Sequence, residues 1–269
     1  MQPPFEKIAS FQNPKIKQIK NLRDRRARDR ESLFVIDDGR DLSRALDCGY
    51  SIAYALFCPE LPQGDDELLA RIPGDIVYEV SPAIMEKTSY RQNPSSLVAV
   101  MRQKAILGLD DLHDRGNTVD SHILALVNLQ KPGNIGALLR TADATGFKAI
   151  TLVDSELDIY NPNIIRSSTG ACFLDNIYVM TSEEALSYFR ENGFTIIAAD
   201  VNGDVDLFDA GFGQRAAITL GTEDRGLDAL WLHNANQRVR IPMVGKLSDS
   251  LNVSVSGAIF MVEALRQRR

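Results

Sequence analysis

The sequence of 269 residues has little of what marks secreted, membrane-spanning or metal-binding proteins. Its cysteines, Cys48, Cys58 and Cys172, are odd in number and far apart, which argues against a disulfide framework or a zinc site. No apolar run approaches the roughly 20 residues that a membrane helix requires. The N-terminal segment MQPPFEKIAS lacks the apolar stretch of a secretory signal. We therefore expect a reduced, cytoplasmic protein with no metal and no membrane contact.

Common nucleotide-binding signatures are also missing from the chain. It contains neither a G-x-G-x-x-G dinucleotide fingerprint nor a phosphate-binding loop that ends in G-K-S/T. Its three histidines are scattered, and no Ser-His-Asp or Cys-His set is evident. These absences argue against a nucleotide-dependent oxidoreductase.

Charge is distributed unevenly along the chain. The net charge is −6, but the segment Lys15–Arg30 carries eight basic and two acidic residues, which leaves about −12 for the remainder. Asn13 and Pro14 predict the start of a helix here, with an apolar stripe that begins at Ile16. Two interpretations are open from the charge pattern: a solvated helix that docks by its apolar stripe, or a helix that faces RNA.

Four apolar runs with helix-like segments between them predict a small α/β domain over residues 1–105. The runs are LFVID, SIAYALFC, DIVYEV and SLVAVM, and the helix-like segments lie around residues 40–48, 65–70 and 82–88. The next segment, residues 106–120, is polar and contains glycine, so we expect it to be a linker.

Residues 121–269 predict a second α/β domain. Its strand-like runs are HILALVN, KAITLVD, NIYVM, FTIIAAD, RAAITLG and QRVRIPM. Helices between them have recognisable ends, such as a capping box of Thr181 and Glu184, a stop at Gly193 and the pair Asn161–Pro162. This alternation predicts a mostly parallel sheet with helices on both faces and ligands outside the carboxyl ends of its strands.

The first of three loops at such strand ends is NLQKPGNIGALLRTADATGF, residues 128–147. It leads into a helix that we expect Asn134 to cap and Gly146 to end, with Arg140 two turns in. The planar fork of Arg140 fits either a phosphate or carboxylate ligand or an ion pair between helices.

The second and third loops also carry polar residues that allow two interpretations. In LGTEDRGL, Glu223 lies between two glycines, where it either faces a ligand or favours the N-terminus of the next helix. In IPMVGKLSDSLNVSVS, Ser250 and Asn252 precede the terminal helix. They suit a site of small hydrogen-bonding groups, although ordinary capping by Ser250 or Asp249 is the simpler alternative.

Taken together and in this order, the three loops resemble a known set of sequence motifs. The motifs N-x-x-x-x-x-N-I-G-x-x-x-R-T-A, L-G-x-E-x-x-G-L and I-P-M…S-L-N-V-S resemble the three signature motifs of the SpoU/TrmH-type RNA ribose 2′-O-methyltransferases, in the SPOUT superfamily. The resemblance covers residues 120–269, and the N-terminal part looks like the ribosomal-protein-like RNA-binding domain of many members. Lys131 departs from the family pattern, in which an acidic residue or asparagine often precedes the proline.

The resemblance implies a fold, a cofactor and an assembly. The C-terminal parallel-sheet domain would contain a deep trefoil knot, bind S-adenosylmethionine and act as a homodimer whose site draws on both subunits. The residues expected near the adenine are Leu220, Gly221, Ile241, Met243 and Leu251.

The resemblance also implies catalytic roles for matching positions. Arg140 would clamp a phosphate and stabilise the developing alkoxide, because a guanidinium stays protonated and is a poor general base. The remaining members of the set would orient ribose and arginine or shape the pocket: Asn134, Glu223, Ser250 and Asn252.

The implied reaction is methyl transfer to a ribose 2′-hydroxyl, and the separate N-terminal domain favours ribosomal RNA over transfer RNA. The basic segment is then expected to face RNA through Lys17, Lys20, Arg23, Arg25 and Arg26. Two alternatives stay open: a transfer RNA ribose 2′-O-methyltransferase, and a non-catalytic RNA-binding protein of the same fold.

Overall fold

The structure, a computed structural model, describes residues 5–62, 66–114, 122–247 and 249–268. Contacts divide the chain into two compact units. The first unit comprises Met1–Ala105 with Asp158–Phe173, and the second comprises Ile106–Leu157 with Leu174–Arg269. Residues 158–173 were expected in the second domain, so the contacts place this segment differently from the sequence prediction.

The described residues form twelve β-strands. They are β1 (Glu6–Ile8), β2 (Leu33–Ile36), β3 (Ile52–Phe57), β4 (Val77–Val80), β5 (Leu97–Arg102), β6 (Ile123–Val127), β7 (Ala149–Val153), β8 (Ile177–Met180), β9 (Thr195–Ala199), β10 (Val205–Asp206), β11 (Ala216–Leu220) and β12 (Gln237–Arg240). All ten predicted strands are present. β1 and β10 were missed because two or three residues give no periodic signal.

The same residues form eleven α-helices. They are α1 (Pro14–Asn21), α2 (Arg25–Glu31), α3 (Gly39–Asp47), α4 (Asp66–Leu69), α5 (Pro82–Thr88), α6 (Leu109–Asp114), α7 (Pro132–Ala144), α8 (Pro162–Ser168), α9 (Ser182–Glu191), α10 (Ala229–Asn234) and α11 (Val253–Gln267). The predicted helix over 65–70 starts outside the described residues. The predicted linker begins inside the second unit, where α6 packs against β8, and its part from 115 to 120 lies outside the described residues.

The first unit contains a five-stranded mixed sheet in the order β1-β4-β3-β5-β2. β1, β4 and β3 are parallel, whereas β5 is antiparallel to both of its neighbours. The basic segment forms two short helices rather than one. Asn13 caps α1 by accepting from the Lys15 amide at 2.9 Å, and Asp24 caps α2 by accepting from the Arg26 amide at 2.7 Å.

Residues 158–173 join the first unit through a buried ion pair and an aromatic cluster. Arg28 and Asp158 are both buried, and Nη2 of Arg28 lies 2.5 Å from Oδ2 of Asp158. The ring of Phe34 stacks on that of Tyr160 with centroids 4.5 Å apart and also contacts Phe173. Such long-range contacts leave no periodic signal in the sequence, which explains why the segment was placed in the other domain.

The second unit contains a seven-stranded sheet in the order β10-β12-β9-β11-β6-β7-β8, and every pair in it is parallel. The prediction of a mostly parallel sheet is therefore confirmed. Helix ends follow the sequence signals: the capping box of Thr181 and Glu184 is formed, and Gly146 and Gly193 end their helices with φ of +74° and +69°. Parallel strands share one carboxyl edge, which positions the site.

Among the described residues, no helix combines the length and apolar character needed to cross a membrane. A search of the same residues finds no cluster of three or more His, Cys, Asp or Glu side chains that would hold a metal ion.

Candidate active site

A pocket of about 600 Å³ lies in the second unit, where β9, β11 and β12 end. Its walls come mainly from four segments: residues 199–202, 220–227, 238–243 and 249–260. Three of these segments follow or include the carboxyl ends of adjacent parallel strands, as the position of ligand sites in such sheets predicts. The volume is typical of sites that enclose a small molecule or cofactor.

All five residues predicted to contact the adenine line this pocket: Leu220, Gly221, Ile241, Met243 and Leu251. Leu220 is buried at the end of β11, and Ile241 directly follows β12. Their apolar side chains form a surface suited to a flat, weakly polar ring system. Direct contact with a cofactor stays a prediction for each of them.

The loop after β11 folds back on itself and requires glycine at two places. Thr222 and Gly226 exchange two backbone hydrogen bonds of 3.0 Å, which close the turn around Glu223. A Cβ atom on Gly221 would lie 2.1 Å from the carbonyl carbon of Gly226, and Gly226 itself has φ of +68°. Glycine therefore allows the backbone of this loop to approach itself and line the pocket.

One residue from each of the three motifs joins a hydrogen-bonded group at the pocket. Nδ2 of Asn134 donates to Oε1 of Glu223 at 2.9 Å, and Nδ2 of Asn252 donates to Oδ1 of Asn134 at 3.2 Å. Helices α7 and α11 pack closely, and a Cβ on Gly257 would lie 2.3 Å from Cδ2 of Leu138. This packing brings together residues separated by 118 positions in sequence.

The prediction that Asn134 caps α7 is wrong. The helix begins at Pro132, with Lys131 at the capping position and no side-chain cap. Proline is favoured at the first helical position because it has no amide hydrogen to satisfy there. Asn134 therefore lies in the first turn, and its side-chain amide is available to Glu223 and Asn252.

The third motif combines capping with a place at the pocket. Asn252, rather than Ser250 or Asp249, caps α11: its Oδ1 accepts from the Ser254 amide at 2.9 Å and from the Ser254 hydroxyl at 2.7 Å. Ser250 and Asn252 both line the pocket. Both interpretations of this segment thus apply to Asn252, whose amide also bonds to Asn134.

Arg140 is placed apart from this group. Its side chain is exposed on α7 and is not part of the pocket lining. At about 100° per residue, six positions separate the directions of Arg140 and Asn134 by roughly 120° around the helix axis. Four of the five predicted catalytic residues therefore lie at or beside the pocket of a single chain, and Arg140 does not.

Sequence reasoning missed Asp200 and Arg238, which form an ion pair in the pocket wall. Nη2 and Nε of Arg238 lie 2.9 and 3.1 Å from Oδ2 of Asp200. Asp200 directly follows β9, which ends at Ala199, so the strand-end criterion applied to the other loops would have found it. Arg238 lies inside β12, where nothing in the sequence distinguishes it from a surface residue.

The pocket carries a slight excess of negative charge. Its lining includes four carboxylates, Asp200, Glu223, Asp224 and Asp249, and three basic groups, Lys131, Arg225 and Arg238. A hydrogen bond from the Thr222 hydroxyl lowers the pKa of the exposed Asp224 carboxyl below its usual range. Such a lining suits a ligand that carries positive charge.

The predicted RNA-binding residues all lie on α1, α2 or the turn between them, in the first unit. Lys17, Arg25 and Arg26 are exposed. Arg23 directs Nη2 at the carbonyl oxygens of Ser89 and Lys87, at 2.9 and 3.3 Å. Part of its hydrogen-bonding capacity is therefore used within the unit.

The chain matches known families in both halves. Residues 121–262 match the SpoU rRNA Methylase family, and residues 13–99 match the MRM3-like substrate binding domain. A protein of Streptomyces viridochromogenes named 23S rRNA (uridine(2479)-2′-O)-methyltransferase is 31% identical over 256 residues, which cover 92% of this chain and 87% of that protein.

Solved structures resemble the whole chain. A crystal structure described as an RNA 2′-O ribose methyltransferase has a TM-score of 0.86 and 36% identity and covers 97% of this chain and 99% of its own. A rRNA methyltransferase from Sinorhizobium meliloti, solved with bound S-adenosylmethionine, has a TM-score of 0.85 and 27% identity, with 97% and 98% covered.

The chain belongs to the SpoU rRNA methylase family. The resemblance read from its three motifs is confirmed, and with it the assignment as an S-adenosylmethionine-dependent methyltransferase. The pocket fits that cofactor on its own features: it has the volume for a nucleoside with a side chain, apolar residues for a base, and carboxylates for the positive sulfonium and ammonium groups.

Proposed function

We propose that the protein transfers a methyl group from S-adenosylmethionine to a ribose 2′-hydroxyl of ribosomal RNA. The observation that carries the proposal is the hydrogen-bonded group of Asn134, Glu223 and Asn252 beside a pocket that fits the cofactor. The choice of ribosomal RNA rests on the Streptomyces relative, which is named for 23S rRNA and aligns with both halves of this chain. A cytoplasmic location is part of the same proposal.

The residues of the pocket act by binding and positioning. When bound, the cofactor supplies an electrophilic methyl group, so no covalent enzyme intermediate is needed. Leu220, Ile241 and Met243 would hold the base and exclude water, and Glu223 would attract the positive groups. Ser250 and Asn252 would orient the ribose. Rate acceleration then comes from orientation and fixed dipoles rather than from a nucleophilic side chain.

Arg140 would clamp a phosphate next to the reacting ribose and stabilise the developing alkoxide. Its side chain is exposed and is not part of the lining of its own chain's pocket, so we infer that a second copy of the chain supplies it. Val255 and Val262, seven residues apart on α11, are about half exposed and lie on one face of that helix. A homodimer that buries this face would bring the arginine of one subunit to the pocket of the other.

Subunit complementation tests the shared site. Arg140→Ala and Glu223→Ala should each reduce methyl transfer at least 100-fold as homodimers. Mixing the two after exchange of subunits should restore up to about one quarter of wild-type activity, because half of the dimers are mixed and each has one intact site. No recovery in a mixture that demonstrably contains mixed dimers would contradict a shared site.

The first test of function is transfer of labelled methyl to unmodified total RNA that is then separated by size, with Arg140→Ala alongside. Label in large ribosomal RNA that the variant loses supports the proposal. Label confined to transfer RNA favours the transfer RNA alternative. Retention of most activity by Arg140→Lys would contradict the bidentate clamp, since an ammonium cannot reproduce the planar fork.

We also infer the deep trefoil knot that the resemblance implies. Support comes from the path of the chain after β12, which lines the pocket at residues 241, 243 and 249–252 and then packs α11 on α7 and β11. A crystal structure with bound cofactor tests it: an unthreaded trace of residues 199–253 would contradict the knot.

A further inference from the structure

An aromatic residue occupies the tip of a turn on the first unit. Phe11 lies between β1 and α1 and is 36% exposed. The turn is held by a backbone hydrogen bond of 3.1 Å from Asn13 to Ser10 and by the Gln12 amide, which donates to the Ser10 hydroxyl at 3.1 Å. Polar residues, glycine and proline are the usual occupants of such tips, so the turn itself does not require a phenylalanine.

Two lysines from different helices lie over the ring of Phe11. Nζ of Lys87, on α5, is 4.5 Å from the ring centroid, and Nζ of Lys20, on α1, is 5.9 Å from it. The ring thus combines a flat apolar surface with two cations that lie over it. A lysine can leave an exposed ring for a phosphate because the cation–π attraction at such a site is weak and the side chain is flexible.

The helices that carry these lysines are fixed to each other. Arg23, just after α1, donates to the carbonyl oxygens of Lys87 and Ser89 at the end of α5, and its guanidinium lies 5.2 Å from the ring centroid of Tyr90. Ile16 and Ile19 on α1 are fully buried. The two helices that carry the lysines are therefore fixed relative to each other by packing and hydrogen bonds.

Charge around the ring favours an anionic partner. Lys17 is exposed on α1, and Arg25 and Arg26 are exposed at the start of α2. The acidic side chains near them are largely engaged: Asp24 caps α2, and Asp29 lies 3.4 Å from Arg25. Glu86 on α5 is the exposed exception. A polymer with regular negative charges and accessible flat rings fits this surface, and single-stranded RNA has both.

We propose that Phe11, Lys20 and Lys87 form a stacking platform for one unpaired nucleotide of the RNA substrate, with the base on the ring and the flanking phosphates at the two lysines. The platform rests on the proposed function for the identity of the polymer, and it adds a contact of defined chemistry far from the methyl-transfer residues in sequence. Bases inside a duplex have no free face, so the platform requires an unpaired nucleotide.

Phe11→Trp turns the platform into a reporter. The chain has one tryptophan, Trp231, which is fully buried in the second unit, so a new indole at position 11 adds a separate signal. We expect a twelve-nucleotide single-stranded RNA of mixed sequence to quench this fluorescence. The matching duplex should leave the emission unchanged. Quenching by neither RNA would overturn the platform.

The affinity for single-stranded RNA, measured at several salt concentrations, distinguishes the contribution of stacking on Phe11 from that of the lysine charges. Phe11→Ala should weaken binding of the single strand about 5- to 100-fold with an unchanged salt slope, because no phosphate contact is lost. Lys87→Ala should weaken binding and also flatten the slope. Phe208→Ala, which removes a 71% exposed phenylalanine from the second unit, is the matched control and should bind as wild type.

The outcomes distinguish the platform from the function on which it rests. If wild type methylates RNA while Phe11→Ala, with an unchanged unfolding temperature, binds and methylates within twofold of it, the platform alone is overturned. If wild type binds no RNA at all, the platform and the proposed function are both overturned.

Discussion

The two units of this chain both pack helices on a sheet, but they arrange their polar groups differently. In the second unit every strand pair is parallel, so the loops after β9, β11 and β12 meet at one edge and enclose a pocket. In the first unit β5 is antiparallel to its neighbours, so strand ends are divided between two edges, and the basic residues lie on α1, α2 and α5. A pocket at the edge of a parallel sheet can enclose a small cofactor, whereas a basic surface formed by helices can bind an extended polymer.

The largest expected effect concerns the buried ion pair of the first unit. Arg28→Ala should lower the free energy of unfolding by about 3–5 kcal/mol, because it leaves the Asp158 carboxylate buried without its partner. Denaturant unfolding measures the loss. The nearby exposed Arg26→Ala is the control and should change stability by no more than about 0.5 kcal/mol. A loss below about 1 kcal/mol for Arg28→Ala would show that the pair does not hold residues 158–173 in place.

The second expected effect concerns the pocket. Gly221→Ala should weaken S-adenosylmethionine binding at least about 100-fold, since its Cβ would lie 2.1 Å from the backbone of Gly226 and the loop must move. Calorimetric titration measures this affinity. Gly133→Ala is the matched control, because a Cβ at that position meets no atom within 4 Å. Equal affinities for both variants would show that the turn around Glu223 is not needed for the cofactor.

One buried group in each unit should make the free energy of unfolding depend on pH, and the two dependences should have opposite signs. Burial, helped by the charge of Asp38, raises the pKa of Asp41 in the first unit to about 6, and burial lowers the pKa of His122 in the second unit to about 4. The folded state binds the proton of Asp41 more tightly than the unfolded chain, so this group destabilises the protein as pH rises from about 4 to 6. His122 destabilises it as pH falls from about 6.5 to 4.

Asp41→Asn isolates the first of these slopes. The stability of this variant relative to wild type should increase by about 1–3 kcal/mol between pH 4 and pH 6 and stay level above pH 6. Thermal unfolding at pH 4, 5, 6 and 7 measures the difference. If the difference in stability between the variant and wild type does not change with pH, the pKa of Asp41 is not raised by folding. The predicted opposite pH dependences of the two units would then be contradicted.

The smallest expected effect compares helix caps. Thr181→Ala should cost about 1 kcal/mol, because the Thr181 hydroxyl accepts from the Glu184 amide in a complete capping box on α9. Ser81 occupies the same position on α5 of the first unit, and its side chain makes no capping hydrogen bond. Ser81→Ala should therefore change stability by less than about 0.5 kcal/mol. Equal costs would show that cap geometry does not distinguish these two helix starts.

Local sequence signals predicted most of the elements and several of their ends. Asn13 caps α1, Asn161 caps α8 and Gly146 ends α7, because each signal depends on neighbouring backbone groups only. Asn134 shows the limit of this reasoning. A residue suited to capping lies after a proline that starts the helix, and its amide bonds instead to two side chains from distant loops.

The sequence by itself determined which segments form strands and helices in both units. It also determined the three motif loops and the residue types at the pocket. Periodicity, helix caps and motifs each extend over only a few positions, so they can be recognised without the tertiary structure. Only the tertiary structure decided that Asp200 and Arg238 pair in the pocket wall, that Asp158 pairs with Arg28 in the first unit, and that Arg140 lies outside the lining of its own pocket. These placements depend on which strands pair and which helix faces pack. Both are fixed by the burial of many side chains at once, and no short stretch of sequence records the result.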